Sequence, residues 1–510
     1  MIKFPSVTFS IVPAQQLAGT TAQRVLIVGQ KLSTGSATDG AVYRDFGNDG
    51  SEDGLFDKTS HIAGLVRSFK EINKVSYLDV LPLTDGTSAV KGTAVITLAT
   101  GPAGSDSTVY VTVGSASDYR KEITITEGDT VAEIGDLIVA AYATDLKKPF
   151  TIANSAGVIT ATATNGGTLS NDWGLNFEGT IEDVTVTLAG WSGGSVDPVL
   201  TSALDAIGET RYQTVLWPSS YDLDVIQTLL DARFNTTNNI LDGVAFQQKT
   251  DTMSNLKSYV SPLNSQSVVV AGQKKISDSA FIGSACLEFP DVACSQICAI
   301  RALRLTQDAV LTDYLTTVAE DDQYGGIGIA GLPYANTSLP NLPIASPANQ
   351  FSQIDISELT SHGVATYGPN RAFNGTIFGE FVTTYLTDTA GNPDTSFKFL
   401  NTIDQESVVR EYFFENLKTR YAQTRVTTGD LVAGRDMANE ASIRAFCNRL
   451  YDALAEEVLV EKGTEAKKDY NENLSISIDI ASGVATINQA PLLIGQMRSI
   501  LGTIQVNFGG

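Results

Sequence analysis

Residues 24–32, RVLIVGQKL, form a short apolar run with a glycine near its end, which is typical of a buried strand in an α/β sheet. A loop rich in Gly, Asp and Ser follows. Residues 60–75, SHIAGLVRSFKEINKV, then place Ile62, Leu65 and Phe69 on one helical face. The next segment, VSYLDVLPL at residues 75–83, is strand-like. Together these segments predict a β-α-β unit.

The same alternation resumes after residue 195. Helix-like DLDVIQTLLDARF at residues 222–234 lies between strand-like YQTVLWP at 212–218 and SVVVAGQKK at 267–275. Such alternation is typical of a doubly wound sheet. We therefore predict one discontinuous α/β domain, made of residues 23–85 and 195–332.

Residues 86–194, between these two parts, have a different sequence pattern. Thr and Val alternate in several short segments separated by Gly, Ser, Asn and Asp, which is the pattern of β-strands and turns. A single helix-like segment, TVAEIGDLIVAAYATD at 130–145, interrupts them. Because the α/β pattern resumes afterwards, we predict a β-rich domain inserted into the first one and lying at its periphery.

The remaining chain divides into further regions. Four prolines among Asn and Ser predict an extended linker at 333–352. A C-terminal α+β domain is predicted at 353–497, opening with strand-like DISELTSHGVATYG at 355–368. Two long helices follow, at Asp404–Thr424 and Asp436–Lys462, and then a hairpin that turns near Ser482. Alternating polar and apolar residues predict terminal β arms at 1–22 and 498–510.

Charge and hydropathy exclude several classes of partner. The 510 residues include 57 acidic and 34 basic side chains, for a formal charge of −23, and no Lys/Arg run offers a surface to phosphates. Direct nucleic-acid partners and an anionic membrane surface are not expected. No window approaches eighteen apolar residues, and Pro5 and Pro13 interrupt the apolar start of the chain. We expect a protein made and kept in the cytoplasm.

No metal or cofactor site is expected from the sequence. The chain has four cysteines, too few and too scattered for a disulfide framework. Cys294 and Cys298 could share one helical face, but no His or third thiol nearby completes a tetrahedral set. A G-x-G-x-x-G at Gly326, Gly328 and Gly331 is followed by Leu-Pro instead of a helix start, so it reads as a loop.

An enzyme is the main alternative interpretation. Residues 190–194 match the G-x-S-x-G pattern of a hydrolase nucleophile, with Ser192 following a predicted strand. Such a serine needs a histidine base, and with two histidines in the chain the downstream candidate is His362. A serine esterase or lipase using Ser192 and His362 is therefore kept as the alternative. A surface or adhesin protein, suggested by the Thr/Val-rich block, is a third interpretation.

Three stretches resemble the Mu-like branch of phage tail sheath proteins. The first joins residues 24–37, RVLIVGQKLSTGSA, with FGNDGSEDG at 46–54. The second runs from TITEGD at residue 124 to LAGWSGGSVDP at 188–198 and contains the Gly-Gly-x-x-Asp-Pro passage of that family. The third is the C-terminal domain, with its two helices and a closing strand at 500–508. The family's passage also accounts for the serine motif without an active site.

The resemblance implies a multidomain α+β and α/β subunit of a contractile tail sheath, with exchanged terminal arms and without enzymatic activity or cofactor. Such subunits stack as hexameric rings around a tail tube protein and associate with baseplate and tail terminator proteins. They are assembled in the host bacterial cytoplasm and act in the virion tail, where contraction drives the tube through the bacterial envelope for genome delivery.

The resemblance also suggests site residues. Neighbouring subunits would be joined by the apolar side chains of the arms, and the tube would be contacted by arginines of the C-terminal domain. Candidate joints are residues 13–21 and 490–495. The arm residues are Val7, Phe9 and Ile11 at the N-terminus and Ile504, Val506 and Phe508 at the C-terminus, and the tube-facing candidates are Arg420, Arg425, Arg444 and Arg449.

Overall fold

A computed structural model describes residues 23–234, 241–305, 334–340, 342–344, 346, 349–369, 375–432, 435–456 and 458–495. These residues fall into two compact units, which divide at Asp404. Among them, no helix has the length and apolar character needed to cross a bilayer.

The helices in chain order are α1 (His61–Ile72), α2 (Val131–Ala141), α3 (Thr201–Asp205), α4 (Leu223–Phe234), α5 (Met253–Val260), α6 (Pro290–Leu305), α7 (Gln353–Ser361), α8 (Leu400–Tyr421), α9 (Glu440–Glu456) and α10 (Thr464–Asn473). The strands are β1 (Arg24–Gln30), β2 (Tyr77–Leu83), β3 (Thr93–Thr100), β4 (Ser107–Val113), β5 (Arg120–Ile125), β6 (Phe150–Ser155), β7 (Val158–Ala163), β8 (Leu175–Glu178), β9 (Val184–Ser192), β10 (Thr214–Leu216), β11 (Val244–Asp251), β12 (Val268–Ser277), β13 (Phe281–Ser284), β14 (Ser338–Leu339), β15 (Val364–Ala365), β16 (Tyr367–Pro369), β17 (Thr376–Phe378), β18 (Arg425–Val426), β19 (Met437–Ala438), β20 (Ser475–Asp479) and β21 (Val484–Asn488).

A parallel sheet is the centre of the first unit. β2, β1, β10, β11 and β12 lie side by side in that order, all parallel. Val25 and Ile27 of β1 pack with α1 and α6 on one face, whereas Leu26 and Val28 pack with α4 and α5 on the other. A strand covered on both faces needs a continuous apolar run, which explains the sequence of β1. The mixed α/β class predicted from the sequence is confirmed.

The β-rich block of residues 86–194 contributes to two sheets. β6, β7, β3 and β9 form a four-stranded antiparallel sheet. β8, β4 and β5 continue the large sheet, because β8 pairs with β13 and β13 pairs with β12. The block also has its own apolar core, which includes Trp173 and Trp191. The predicted status of this block as a separate inserted domain stays a prediction.

A seam joins the β-rich block to the α/β part at Glu288 and Phe289, just before α6. Phe289 enters the core of the block, with its ring centroid 4.7 Å from that of Trp173. Glu288 accepts hydrogen bonds from the hydroxyls of Ser115 at 2.8 Å and Ser117 at 2.9 Å. The block is thus attached by buried contacts as well as by its two chain connections.

The boundary predicted at residue 353 differs from the structure. Residues 353–361 form helix α7, not a strand, because Ser352 and Asp355 make a capping box at its start. β15 then pairs with β12, so this stretch belongs to the large sheet of the first unit. In the preceding proline-rich segment, Leu339 and Leu342 are buried in the same unit. That segment is therefore part of the unit and not a free linker between domains.

The second unit contains the predicted helices and hairpin. The long helices are observed as α8, which enters this unit at Asp404, and α9. Tyr451 of α9 stacks on Tyr470 of α10, with ring centroids 4.4 Å apart, and Cys447 is buried. β20 and β21 form the predicted hairpin, and Gly483 takes the positive φ of 71° that its turn requires.

Candidate assembly surfaces

The predicted arm residues cannot be placed. Residues 1–22 and 496–510 lie outside the described part of the chain, and with them all six arm side chains and the candidate joint at 13–21. The loop with Gly326, Gly328 and Gly331 lies outside it as well. The roles proposed for these residues stay predictions.

Two of the four candidate arginines share one aromatic pair. The Arg420 guanidinium lies 5.5 Å from the ring centroid of Tyr421, and the Arg449 guanidinium lies 4.8 Å from that of Phe446. The two rings meet edge to face at 5.7 Å. Burial raises the pKa of Tyr421, while the charges of Arg420 and Arg449 act to lower it. These four residues are called the arginine–aromatic patch below.

The structure separates the other two candidates from this patch. Arg444 contacts Glu440 at 3.4 Å and donates to the carbonyl of Asn471 at 3.3 Å, so its charge is already paired. Arg425 is exposed on β18, which pairs with β19. A guanidinium with a carboxylate partner in its own chain is a weaker candidate for a partner protein than one without.

Arg420, Arg425 and Arg449 have no ion pair with any carboxylate in the described part of the chain. This is unusual because the chain carries 57 acidic residues against 34 basic ones. Arg420 and Arg449 are exposed, and the aromatic rings beneath them limit the conformational freedom of both side chains. The patch could therefore bind an acidic surface at low entropic cost.

The hairpin of β20 and β21 has open edges. Five residue pairs join the two strands, and within the described residues neither strand pairs with a third. Ile476 is buried, but Val484 is 52% exposed and the neighbouring Ile480 is 55% exposed. A two-stranded hairpin is marginally stable in water, and unpaired edges readily accept another strand. The sequence predicted the hairpin but not its open edges.

The candidate joint at residues 490–495 is partly fixed by backbone hydrogen bonds. The amide of Glu461 donates to the carbonyl of Leu492 at 2.8 Å, and Val460 bridges Leu493. Just before this contact, Val458 has φ of 60° and is 65% exposed. Positive φ is strained for a β-branched residue. Leu492 and Leu493 of the candidate joint are therefore tied to Glu461 and Val460, a contact that sequence patterns alone did not indicate.

The geometry does not support the hydrolase alternative. Ser192 is exposed at the end of β9, opposite Thr93 of β3. His362 follows the last turn of α7, where its Nδ1 lies 2.8 Å from the carbonyl oxygen of Glu358 and 3.0 Å from the hydroxyl of Ser361. No hydrogen bond joins Ser192 to His362 in the part of the chain that the structure describes.

The ring nitrogens of the second histidine, His61, also have partners within the chain. The Nε2 atom of His61 lies 2.9 Å from the Asp291 carboxylate, and its Nδ1 accepts from the amide of Gln30 at 3.3 Å. With both nitrogens bonded inside the core, His61 cannot act as a base toward a substrate. Cys294 and Cys298 are buried and free, and the described residues hold no cluster of metal-binding side chains.

Comparison with known proteins finds similarity to a tail sheath protein. The chain is 22% identical over 452 residues to the Mu-like prophage FluMu tail sheath protein of Haemophilus influenzae, covering 86% of this chain and 85% of that protein. No protein-family model matches.

Solved structures with a similar chain path include three sheath proteins. The sheath tail protein of Desulfitobacterium hafniense is 11% identical, with a TM-score of 0.45 over 96% of this chain and 100% of that one. The sheath tail protein of Listeria innocua is 10% identical, with a TM-score of 0.46 over 93% of each chain. The helical sheath of the anti-feeding prophage in its contracted state is 10% identical, with a TM-score of 0.46 over 98% of each chain. The similarity to the Haemophilus protein confirms, over most of the chain, the resemblance to the Mu-like tail sheath proteins that was seen in the sequence.

Proposed function

We propose that this protein is the structural subunit of a contractile tail sheath. It polymerises as stacked hexameric rings around an inner tail tube and contracts to drive the tube through the bacterial envelope for genome delivery. The observation that carries this proposal is the similarity to a Mu-like tail sheath protein across 452 residues. Such a subunit is assembled in the host cytoplasm, acts in the virion tail, and associates with baseplate and terminator proteins.

The open hairpin supports a mechanism for linking subunits. Terminal arms that alternate polar and apolar residues can add strands to β20 and β21 of neighbouring copies, and each added strand gains ladder hydrogen bonds worth ~1 kcal/mol net each. Ile504, Val506 and Phe508 are the proposed apolar contacts of the C-terminal arm, and Val7, Phe9 and Ile11 are those of the N-terminal arm. Links of this kind keep copies connected while the compact units rotate.

The arginine–aromatic patch supports a site for the tube. Its exposed Arg420 and Arg449 have no carboxylate partner in the described chain, and both lie on the C-terminal unit. We propose that this patch, together with Arg425 of β18 in the same unit, contacts acidic side chains of the tube protein. Arg444 is a weaker candidate because Glu440 already pairs with it.

Electron microscopy of the purified full-length chain tests the proposal. The expected result is hollow, ridged cylinders of uniform width, formed alone or on addition of the tube protein encoded with it. As a control for non-specific aggregation, the same preparation is imaged after a charge reversal of the exposed Glu122→Lys on β5, which should leave cylinders unchanged. A chain that stays monomeric with its tube protein over a wide range of concentration and salt would refute the sheath assignment.

A further inference from the structure

The Gly-Gly-x-x-Asp-Pro passage at residues 193–198 lies where the chain leaves the β-rich block. It runs beside the segment by which the chain enters: the amide of Val90 donates to the carbonyl of Ser195 at 3.0 Å, and the amide of Ser195 donates back at 3.2 Å. A Cβ atom on Gly86 would lie 2.5 Å from the carbonyl oxygen of Val196. The entering and leaving segments therefore touch, and together they form the neck of the block.

One loop of the block, residues 165–168 after β7, binds a carboxylate from each side of this neck. Asp85, on the entering side, accepts from the amide of Gly166 at 2.7 Å and from the side-chain amide of Asn165 at 2.8 Å. Asp197, on the leaving side, accepts from the amide of Thr168 at 2.7 Å and from its hydroxyl at 2.7 Å. Hydrogen bonds to a charged acceptor are stronger than neutral ones.

The second glycine of the passage allows the leaving segment to approach the block closely. A Cβ atom on Gly194 would lie 2.2 Å from the carbonyl oxygen of Gly167, a distance that would force the two segments apart. Gly194 and Asn171 also exchange two hydrogen bonds of 3.0 Å, one in each direction. Glycine at position 194 is therefore required by packing, and its local φ is not the reason.

The same loop fills the crevice in which open α/β sheets bind ligands. That crevice lies at the carboxyl ends of the strands where the strand order reverses, here between β1 and β10. Gln30 at the end of β1 donates its side-chain amide to Asp85 and to the carbonyl of Gly166, each at 2.8 Å. Asn165 accepts from the amide of His61 at 2.9 Å. The loop thus occupies the place of a ligand.

We propose that Asp85, Gly194 and Asp197 form a latch that holds the loop at residues 165–168 in the crevice of the parallel sheet. The latch sets the orientation of the β-rich block, and the Glu288–Phe289 seam provides its second point of attachment. Because the block is held at the latch, at the seam and by the pairing of β8 with β13, it moves together with the α/β part as one rigid body. This assignment concerns the fold of one chain and does not depend on the function proposed above.

Hydrogen–deuterium exchange of the full-length chain tests the latch with two independent variants. Asp197→Ala removes both hydrogen bonds to Thr168, and Gly194→Ala introduces the clash with Gly167. In each variant we expect peptides covering residues 86–92 and 164–172 to exchange at least tenfold faster, while β6 and β7 keep their protection. Gly101→Ala is the matched control, because a Cβ atom there meets no atom within 4 Å.

Two outcomes would overturn the latch. If exchange at the neck is unchanged in Asp197→Ala, the carboxylate does not hold the loop. If β6 and β7 lose protection by the same factor as the neck, the substitution has destabilised the whole block, and no separable latch exists. Should Gly194→Ala fail to fold, Asp197→Ala together with Asp85→Asn gives the same test.

Discussion

The β-rich block and the C-terminal unit use charged and aromatic side chains in opposite ways. Where the block meets the α/β part, charged groups are directed inward: Glu288 is buried between two serine hydroxyls of the block, and Asp85 and Asp197 are bonded to one of its loops. In the C-terminal unit, Arg420 and Arg449 point outward from an aromatic pair and have no carboxylate partner among the described residues. The first arrangement stabilises one conformation of the chain, and the second leaves binding capacity for another molecule.

The strand edges differ in the same way. The large sheet has its β2 edge covered by Tyr43, whose amide and carbonyl bond those of Val80, and its β5 edge carries charged side chains. Among the described residues nothing covers the edges of the hairpin of β20 and β21 in this way, and apolar residues near its turn are more than half exposed. Uncovered edges of this kind favour intermolecular pairing. The contrast predicts that substitutions where the block meets the α/β part change stability, whereas those at the exposed charged surface of the C-terminal unit change assembly.

The largest expected effect on stability is at Phe289. Phe289→Ala removes a ring that is 6% exposed and packs against Trp173 in the seam, so we expect the free energy of unfolding to fall by about 3 to 5 kcal/mol. Chemical denaturation measures this change. The matched substitution Phe446→Ala, in the half-buried ring of the arginine–aromatic patch, should cost clearly less. If both substitutions lowered the free energy of unfolding equally, the aromatic side chains of the seam and of the C-terminal unit would not differ in their contribution to stability.

The next effect is a pH dependence that comes from Glu288. Burial raises the pKa of this carboxyl from 4.5 to about 7, against the lowering effect of the Phe289 amide and the Ser115 hydroxyl. Because the folded chain holds the proton more tightly than the unfolded chain, the favourable contribution is complete at low pH and is lost as pH rises through about 7. From pH 4 to pH 9 this loss is about 3 kcal/mol.

Glu288→Gln should remove the part of the pH dependence of stability that comes from this carboxyl. Measured by denaturation between pH 4 and pH 9, the decline in stability of the variant should be shallower than that of the wild type by the contribution of one titrating group. The control Glu178→Gln alters a carboxylate that is 45% exposed and paired with Arg120, and it measures how much of any change comes from losing a surface carboxylate. Parallel profiles for Glu288→Gln and the wild type would show that Glu288 is not a protonation site of the seam.

A smaller gain in stability is expected at Val458. Val458→Gly replaces a β-branched residue at φ 60° with one that adopts this conformation freely, so the free energy of unfolding should rise by about 1 kcal/mol. Val432→Gly, at another exposed valine of the same unit, should bring no gain, since φ there is not positive. A loss of stability in Val458→Gly would mean that the backbone at this position is unstrained.

The smallest effect on folding is expected at the arginine–aromatic patch. The double variant Arg420→Glu/Arg449→Glu should change the free energy of unfolding by less than about 0.5 kcal/mol, because both side chains are exposed and without ion pairs in the described chain. Co-sedimentation with the tube protein should nevertheless be lost. Arg444→Glu serves as the comparison, and its tube binding should be affected less. Full tube binding by the double variant would remove the patch as a tube contact.

The α/β sheet could be predicted because its strands are covered on both faces and therefore need continuous apolar runs, as in β1. The helices α8 and α9 and the hairpin of β20 and β21 were predicted for similar local reasons. Residues 353–361 were mistaken for a strand because a capping box at Ser352 and Asp355 outweighs the apparent alternation. The pairing of β15 with β12 joins Val364–Ala365 to the large sheet of the first unit, a contact that no local pattern reveals.

The candidate tube-facing residues stay a prediction. Basic residues were singled out as unusual in an acidic chain, but the sequence could not distinguish Arg444, which pairs with Glu440, from Arg420 and Arg449, which have no carboxylate partner among the described residues. That distinction depends on which side chains the fold brings within a few ångströms. The hydrogen bonds of Asp197 could not be predicted from the sequence either, because its partner Thr168 lies 29 residues away along the chain. The sequence drew attention to this position only through the Gly-Gly-x-x-Asp-Pro passage that contains it.

The central claim is that this chain assembles through strands donated by its arms, and imaging a truncation tests it most directly. The full-length chain and a chain ending at Ser499 are purified in parallel and examined by electron microscopy, with circular dichroism and thermal unfolding as checks on folding. Ile504, Val506 and Phe508 are lost in the truncated chain. We predict cylinders for the full-length protein and a folded, soluble chain without cylinders for the truncation. Cylinders of normal length and number from the truncated chain would contradict strand donation by the C-terminal arm.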